Sequence, residues 1–167
     1  MDMKKEKMVS FVSTYTITTN RVEDFSSCHN RTLIWETARP YVFMRTTADN
    51  RVIIGGLDEN TAYPEVRDSK LMNKKDLLVQ EFNKLFPDIK IRPVYYSAAF
   101  YGGTVDGLPI IGIYDEAPNS YFLFGFGDNG TVYSQILSKI LTENIVTGAS
   151  KDLDLYLQTR PLLKKEK

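Results

Sequence analysis

The feature that most constrains how this chain folds is the passage over residues 121–141, where the apolar run YFLFGF gives way to GDNG and then to TVYSQILSKIL. A β-type run, a glycine turn and an apolar period of 3.6 residues, in that order, specify a strand that stops and a helix that starts a few residues later. Gly125, Gly127 and Gly130 lack a Cβ, so the backbone there tolerates positive φ and close approach. Asp128 or Asn129 is placed to cap the helix, Thr131 falls in its first turn, and the positive end of the helix dipole lies at the glycines. The backbone N–H groups over residues 125–131 are therefore a candidate donor set for an anionic or electron-rich ligand. An ordinary capped helix start accounts for the same residues. The sequence contains neither a G-x-G-x-x-G after an N-terminal strand nor a G-x-x-x-x-G-K-S/T loop, so no motif cradles the phosphates of a nucleotide.

Composition excludes several function classes. Lys plus Arg number 21 and Asp plus Glu number 21, for a formal net charge of zero, which removes the electrostatic attraction that nucleic acid and anionic membrane surfaces exploit. The single cysteine, Cys28, cannot form an internal bridge, and its neighbour His29 is the only histidine, so disulfide frameworks and His/Cys zinc sites are not available from one chain. No metal is expected. No segment approaches the roughly 20 apolar residues of a membrane span, and MDMKKEKMVSFVS does not form a signal peptide. The expectation is a soluble cytoplasmic protein of one domain over residues 13–161, preceded by a disordered or extended segment, 1–12, and followed by a charged tail, 162–167.

Along the chain, residues 13–19 and 33–37 read as strands from their β-branched and aromatic content. Residues 41–59 hold two β-rich runs around Ala48, Asp49 and Asn50, an antiparallel hairpin. Residues 63–71 lack a period and read as a loop into a helix starting at Asn73, with Leu77, Leu78, Phe82, Leu85 and Phe86 as its core stripe and Pro87 as its stop. A strand follows over 89–100, with Pro93 marking an edge or bulge and Gly102, Gly103 and Gly107 breaking it. Two short strands over 108–114 and 121–126 precede the helix from Thr131, which Gly148 closes, and a last helical turn fits 152–157. Segregated strands and helices predict an α+β fold with a mostly antiparallel sheet and helices packed on one face.

Taken in order, STYTITTN, WETARPYVFMRTTADNRVIIGGLDE, TVDGLPIIG and GFGDNG with its helix resemble the C-terminal, substrate-domain half of FAD-dependent oxidoreductases of the D-amino-acid oxidase and glycine oxidase type. The resemblance runs from about Ser13 to Pro161. It implies a reaction in which an amine or amino acid C–N bond is oxidised. It also implies that FAD is bound by the complete enzyme, with Gly125, Gly127, Asp128, Asn129, Gly130 and Thr131 at the flavin's pyrimidine edge and Asp106, Gly107 and Pro109 in a nearby turn. The family's N-terminal Rossmann domain has no counterpart here, so the chain is expected to bind no cofactor by itself and to be inactive alone. Its partners are then the missing FAD-binding domain, or a second copy if the chain is a freestanding oligomerisation module.

Many members that oxidise amino acids carry an arginine shortly before the T-x-D-G turn, where this sequence has Phe100, Tyr101, Gly102 and Gly103. Substrate contacts are instead assigned to Tyr41, Arg45 and Tyr101. A guanidinium can grip a carboxylate with two hydrogen bonds, and a phenol offers an apolar face with one donor. Arg45 and Arg51 flank the hairpin tip and either could grip a carboxylate, although residues so placed more often make cross-strand pairs, here with Asp49 or Glu59. Tyr96 is a weaker pocket candidate, and Cys28 beside His29 lacks a third orienting group for catalysis.

Overall fold

A computed structural model describes residues 9–164, so the first eight residues of the expected N-terminal segment and the last three of the expected tail lie outside the described residues. The described residues divide into two compact units, one over residues 12–100 and the other over 9–11 with 101–164. The fold class is the expected one: α+β, with antiparallel pairing.

β1 (Val9–Thr19), β2 (Ile34–Trp35), β3 (Val42–Thr46), β4 (Val52–Glu59) and β5 (Pro93–Thr104) form a sheet in the order β2-β3-β4-β1-β5, most of it in the 12–100 unit. β3 and β4 are the predicted hairpin. Asn50 takes φ 64° at its tip, a left-handed conformation that Asn accepts more readily than most residues. The turn is cross-braced. Thr47 and Arg51 both donate to the Asp49 carboxylate, at 2.7 and 2.9 Å, and Arg31 donates to the Thr47 carbonyl and the Asn50 side chain. Side chains alternate across a strand. One face of this sheet therefore carries Tyr15, Ile17, Val42, Met44, Val52 and Ile54 into a core with Leu78, Phe82, Phe86 and Ile89.

The helix over that face, α1, spans Pro64–Leu85, whereas sequence reading places a loop over 63–71 and starts the helix at Asn73. The structure overturns that start. Pro64 is the reason: a proline at the first helical position has φ preset and loses an N–H that would have no intrahelical acceptor, so it opens a helix instead of interrupting one. The first turns of α1 are exposed, which is why no apolar period announces them. The predicted stripe is core at Leu78 and Phe82, with Phe86 just beyond, but Leu85 is half exposed.

In the other unit, β6 (Ile110–Ile113) and β7 (Tyr121–Phe124) form an antiparallel hairpin that continues into α2 (Gly130–Thr147) and the short α3 (Leu153–Tyr156). Gly148 ends α2 at φ 81°, the left-handed C-cap anticipated from sequence. Ile111, Leu137, Ile140 and Leu141 make one core cluster, and Ile110, Phe124 and Leu163 a second with Val9. β5 runs on to Thr104, so Gly102 and Gly103 do not break it. Gly102 is a close-packing position, since a Cβ there would meet Val9 Cγ1 at 3.3 Å and Phe11 Cε1 at 3.5 Å. Residues Pro161–Lys164 form a 3-10 turn with Leu163 6% exposed and Arg160 4% exposed. The expected tail from 162 thus begins inside the fold, because Leu163 supplies apolar area that the second core cluster lacks.

Candidate functional site

Two glycine turns come together in the second unit. The first, Thr104–Gly107, closes with a hydrogen bond from Gly107 N–H to the Thr104 carbonyl at 3.3 Å, and Gly107 takes φ 76°. Thr104 Oγ1 donates to the Leu108 carbonyl at 2.7 Å, and Leu108 N–H donates to Asp106 Oδ1. The second runs from Gly125 to Gly130. Gly125 has φ 73°, and a Cβ there would lie 2.9 Å from Thr104 Cγ2, so only glycine lets the strand end pass this close to the first turn. Gly127, at φ 60°, donates its N–H to the Gly102 carbonyl at 2.9 Å, which ties the loop to the end of β5.

These bonds narrow the expected donor set. The N–H groups of Gly127 and Asn129 are engaged within the loop and strand, Asn129 with the Phe126 carbonyl. Asn129 stands at the N-cap position without a side-chain cap, its amide donating instead to Asp128 Oδ1. Gly130 and Thr131 occupy the first two helical positions, where an N–H has no carbonyl one turn back to reach. Nothing lies within 4 Å of where a Cβ would sit at Gly107 or Gly127, so the backbone at both turns is open on that side.

Sequence reading missed the residue that holds the first turn in place. Arg160 reaches both carboxylate oxygens of Asp106, with Nε at 2.7 Å from Oδ2 and Nη2 at 2.9 Å from Oδ1. Its remaining donors go to the carbonyls of Leu108, Pro109 and Tyr156, so all five guanidinium N–H groups are used. Arg160, aided by the Leu108 N–H and Thr104, holds the Asp106 carboxyl down at about 2, against an ordinary value of 3.8. The available signal was an arginine set among Leu157, Pro161, Leu162 and Leu163, a context in which a lone charge is either exposed or fully partnered.

The predicted substrate residues do not all belong to one unit: Tyr41 and Arg45 lie in the 12–100 unit and Tyr101 in the other. Tyr41 is 4% exposed, its ring edge-on to Trp35 at 6.1 Å and beside Phe43 at 6.3 Å, with the Arg39 guanidinium 4.3 Å over it. Arg45 alternates with the buried Met44 and so falls on the sheet face opposite α1, across from Ile53 and two residues along from Phe43. Arg45 is exposed and, among the described residues, its guanidinium has no carboxylate or carbonyl partner. Arg51 differs, because it pairs with Asp49 and donates to the Thr19 carbonyl at 2.8 Å. Glu59 pairs with Lys70 and Lys74, and those ammonium groups hold its carboxyl below the usual range. Cys28 is a buried core thiol, while His29 is exposed and exchanges a hydrogen bond with Asn30. Among the described residues no cluster suited to a metal ion is found, and no helix is long and apolar enough to cross a membrane.

Comparison with known proteins gives this geometry its context. A search of curated proteins finds no match. Among solved structures, glycine oxidase from Geobacillus kaustophilus is similar with a TM-score of 0.68 and 18% identity, covering 92% of this chain and 40% of the other. L-proline dehydrogenase from P. horikoshii gives 0.66, 17%, 91% and 40%, and iminodiacetate oxidase from Chelativorans sp. BNC1 gives 0.66, 16%, 86% and 37%. This chain therefore spans about two fifths of the length of the structures it resembles. At these identities the likeness speaks for the fold alone. The family model described as FAD dependent oxidoreductase matches residues 1–144, which is most of the chain, and the chain belongs to the FAD dependent oxidoreductase family.

Proposed function

We propose that this chain forms the substrate-side part of a flavin-dependent oxidoreductase that oxidises the C–N bond of an amine or amino acid. The observation that carries the proposal is the contact of two glycine turns in a member of this family, Gly125 against Thr104 and Gly127 against Gly102. The residues fit one edge of the flavin and no more of FAD. Gly130 and Thr131 present N–H groups at the positive end of α2 and would hold an electron-rich ring edge there. Gly107 and Gly127 leave room for a plane to approach. Bound FAD supplies the hydride acceptor, and the chain's own residues orient the substrate and exclude water.

The substrate class is supported by the neighbours, whose names specify glycine, L-proline and iminodiacetate as compounds acted on by those proteins. Each is an amine that carries carboxylate. Arg45 is the residue we assign to the carboxylate, since its guanidinium is exposed on the sheet face opposite α1 and unengaged among the described residues. A nucleotide-binding part of the kind the rest of the family fold supplies would complete the FAD site. Val132, Ile136 and Val146 of α2 are 59%, 38% and 76% exposed, apolar area of the sort a second domain covers.

The test mixes purified chain with FAD, a dye acceptor and each of glycine, proline and iminodiacetate. The expected result is weak or no FAD binding and no turnover, with turnover appearing once the chain is fused to the nucleotide-binding part of a family member. A tight stoichiometric FAD complex bleached by substrate would overturn the need for a partner. A fused protein that binds FAD yet oxidises no amine would overturn the reaction.

A further inference from the structure

β5 lies at one end of the five-stranded sheet, and among the described residues no strand pairs with its outer side. Proteins shield long edge strands with charge, proline or a bulge, because an open ladder of N–H and C=O groups recruits another strand. β5 carries neither charge nor proline over its middle. Its twelve residues, PVYYSAAFYGGT, contain no charge, and the one proline stands first, where a strand tolerates it. Tyr95, Tyr96 and Phe100 are 64%, 45% and 50% exposed.

The order of side chains says what fits there. About Ala98, the sequence reads the same by size in both directions: Tyr95 and Tyr96, then Ser97, Ala98 and Ala99, then Phe100 and Tyr101. An isologous two-fold contact requires that residue i meet j while j meets i. An antiparallel pair of β5 strands centred on Ala98 meets that condition. It sets Tyr96 against Phe100 of the second copy and Tyr95 against Tyr101, while Ser97 faces Ala99. Directly opposed aromatics are among the stabilising cross-strand pairs, and the small residues at the centre let the backbones close up. The two tyrosines are already fixed on opposite faces, Tyr96 with Lys75 Nζ 5.7 Å from its ring and Tyr95 with Arg51 6.0 Å away. A neutral edge on a chain of zero net charge also opposes no like charges when it meets itself.

We infer that the chain self-associates through the outer edge of β5 as an antiparallel two-fold dimer with Ala98 on the axis. The sheets of two copies then join into one continuous sheet of ten strands.

The experiment measures the mass of the full chain by light scattering and sedimentation across a concentration series. The unaltered chain is expected to be a dimer. Ser97 and Ala99 are exposed, and the double substitution S97K/A99K sets like charges opposite each other twice in the pair, raising the dimer dissociation constant by tenfold or more. S97E/A99E acts in the same way, and an equimolar mixture of the two returns to dimer. Circular dichroism checks that each variant is folded. If a variant does not fold, a spin label at Ala99 in place of the charge reports a close pair in the dimer. A monomeric native chain overturns the proposal, as does a dimer that both charged variants leave intact or one in which the label finds no close partner.

Discussion

Arg160 and Asp106 form a buried bidentate pair, with side chains 3% and 10% exposed and the closest contact at 2.7 Å, and the pair joins the end of the fold to the turn that opens the candidate site. Removing one member of a buried pair leaves the other charged and unpartnered, which costs about 3–5 kcal/mol. Arg160→Met is therefore expected to lower the free energy of unfolding by about that much. Arg160→Lys recovers only part of it, because an ammonium has three donors and cannot span both oxygens and three carbonyls. Urea titrations of the three proteins check the order.

The same pair makes stability depend on acid. The Asp106 carboxyl is held at about 2 in the folded chain, against about 3.9 when unfolded. A depressed folded value means that the unfolded state takes up the proton first, so the pair's contribution is complete above about pH 4 and is lost as pH falls through about 2. The shift corresponds to about 2–3 kcal/mol. Asp106→Asn should be less stable than the parent at neutral pH, and the gap should narrow as thermal unfolding is followed from pH 5 to pH 2. A gap that stays constant would show that Asp106 is not the titrating group.

The elements that were legible in sequence are those whose signal is local. The β3–β4 hairpin announces itself through Asp49 and Asn50 between two β-rich runs, and α2 through its period and Gly148. The start of α1 was illegible because its first turns touch little, so they carry no apolar rhythm and Pro64 reads as a breaker unless its position in the helix is known. Arg160 was illegible for another reason. Its five acceptors come from Asp106, Leu108, Pro109 and Tyr156, of which all but Tyr156 lie about fifty residues away, and no window of sequence brings these together. In the glycine loop the residues were readable but the hydrogen-bond accounting was not, since the engagement of Gly127 by Gly102 depends on where β5 ends.

Gly55 and Gly56 should respond differently to the same change. A Cβ on Gly55 would lie 2.4 Å from Phe43 Cζ, the end of a side chain, whereas on Gly56, at φ 120°, it would lie 2.1 Å from the Tyr41 carbonyl oxygen. Gly55→Ala is expected to cost about 1–3 kcal/mol as the Phe43 ring is pushed aside. Adding Phe43→Ala removes that clash, so the double variant should be less destabilised than the two single changes sum to. Gly56→Ala gains no such relief, because backbone cannot rotate away. A double-mutant cycle for each glycine with Phe43, read by denaturant unfolding, gives a coupling for Gly55 and none for Gly56.

Gly127 separates the stability of its loop from the approach of a ligand to it. At φ 60°, with nothing within 4 Å of the position a Cβ would take, Gly127→Ala meets no neighbour and costs only the left-handed conformation, about 1–2 kcal/mol. Gly127→Asn should cost less, as Asn accepts this region. Gly125→Ala adds a 2.9 Å contact with Thr104 Cγ2 to the same conformational cost and should be the least stable of the three. In a flavoenzyme assembled from this chain and a nucleotide-binding partner, the order changes. Asn at 127 fills the space through which the ring reaches the backbone, so flavin retention is expected to fall well below that of the parent although the fold is nearly as stable. Thermal unfolding of the isolated variants, set beside the flavin absorbance retained by the assembled ones on desalting, measures both quantities. Full flavin retention by Gly127→Asn would remove Gly127 from the flavin edge.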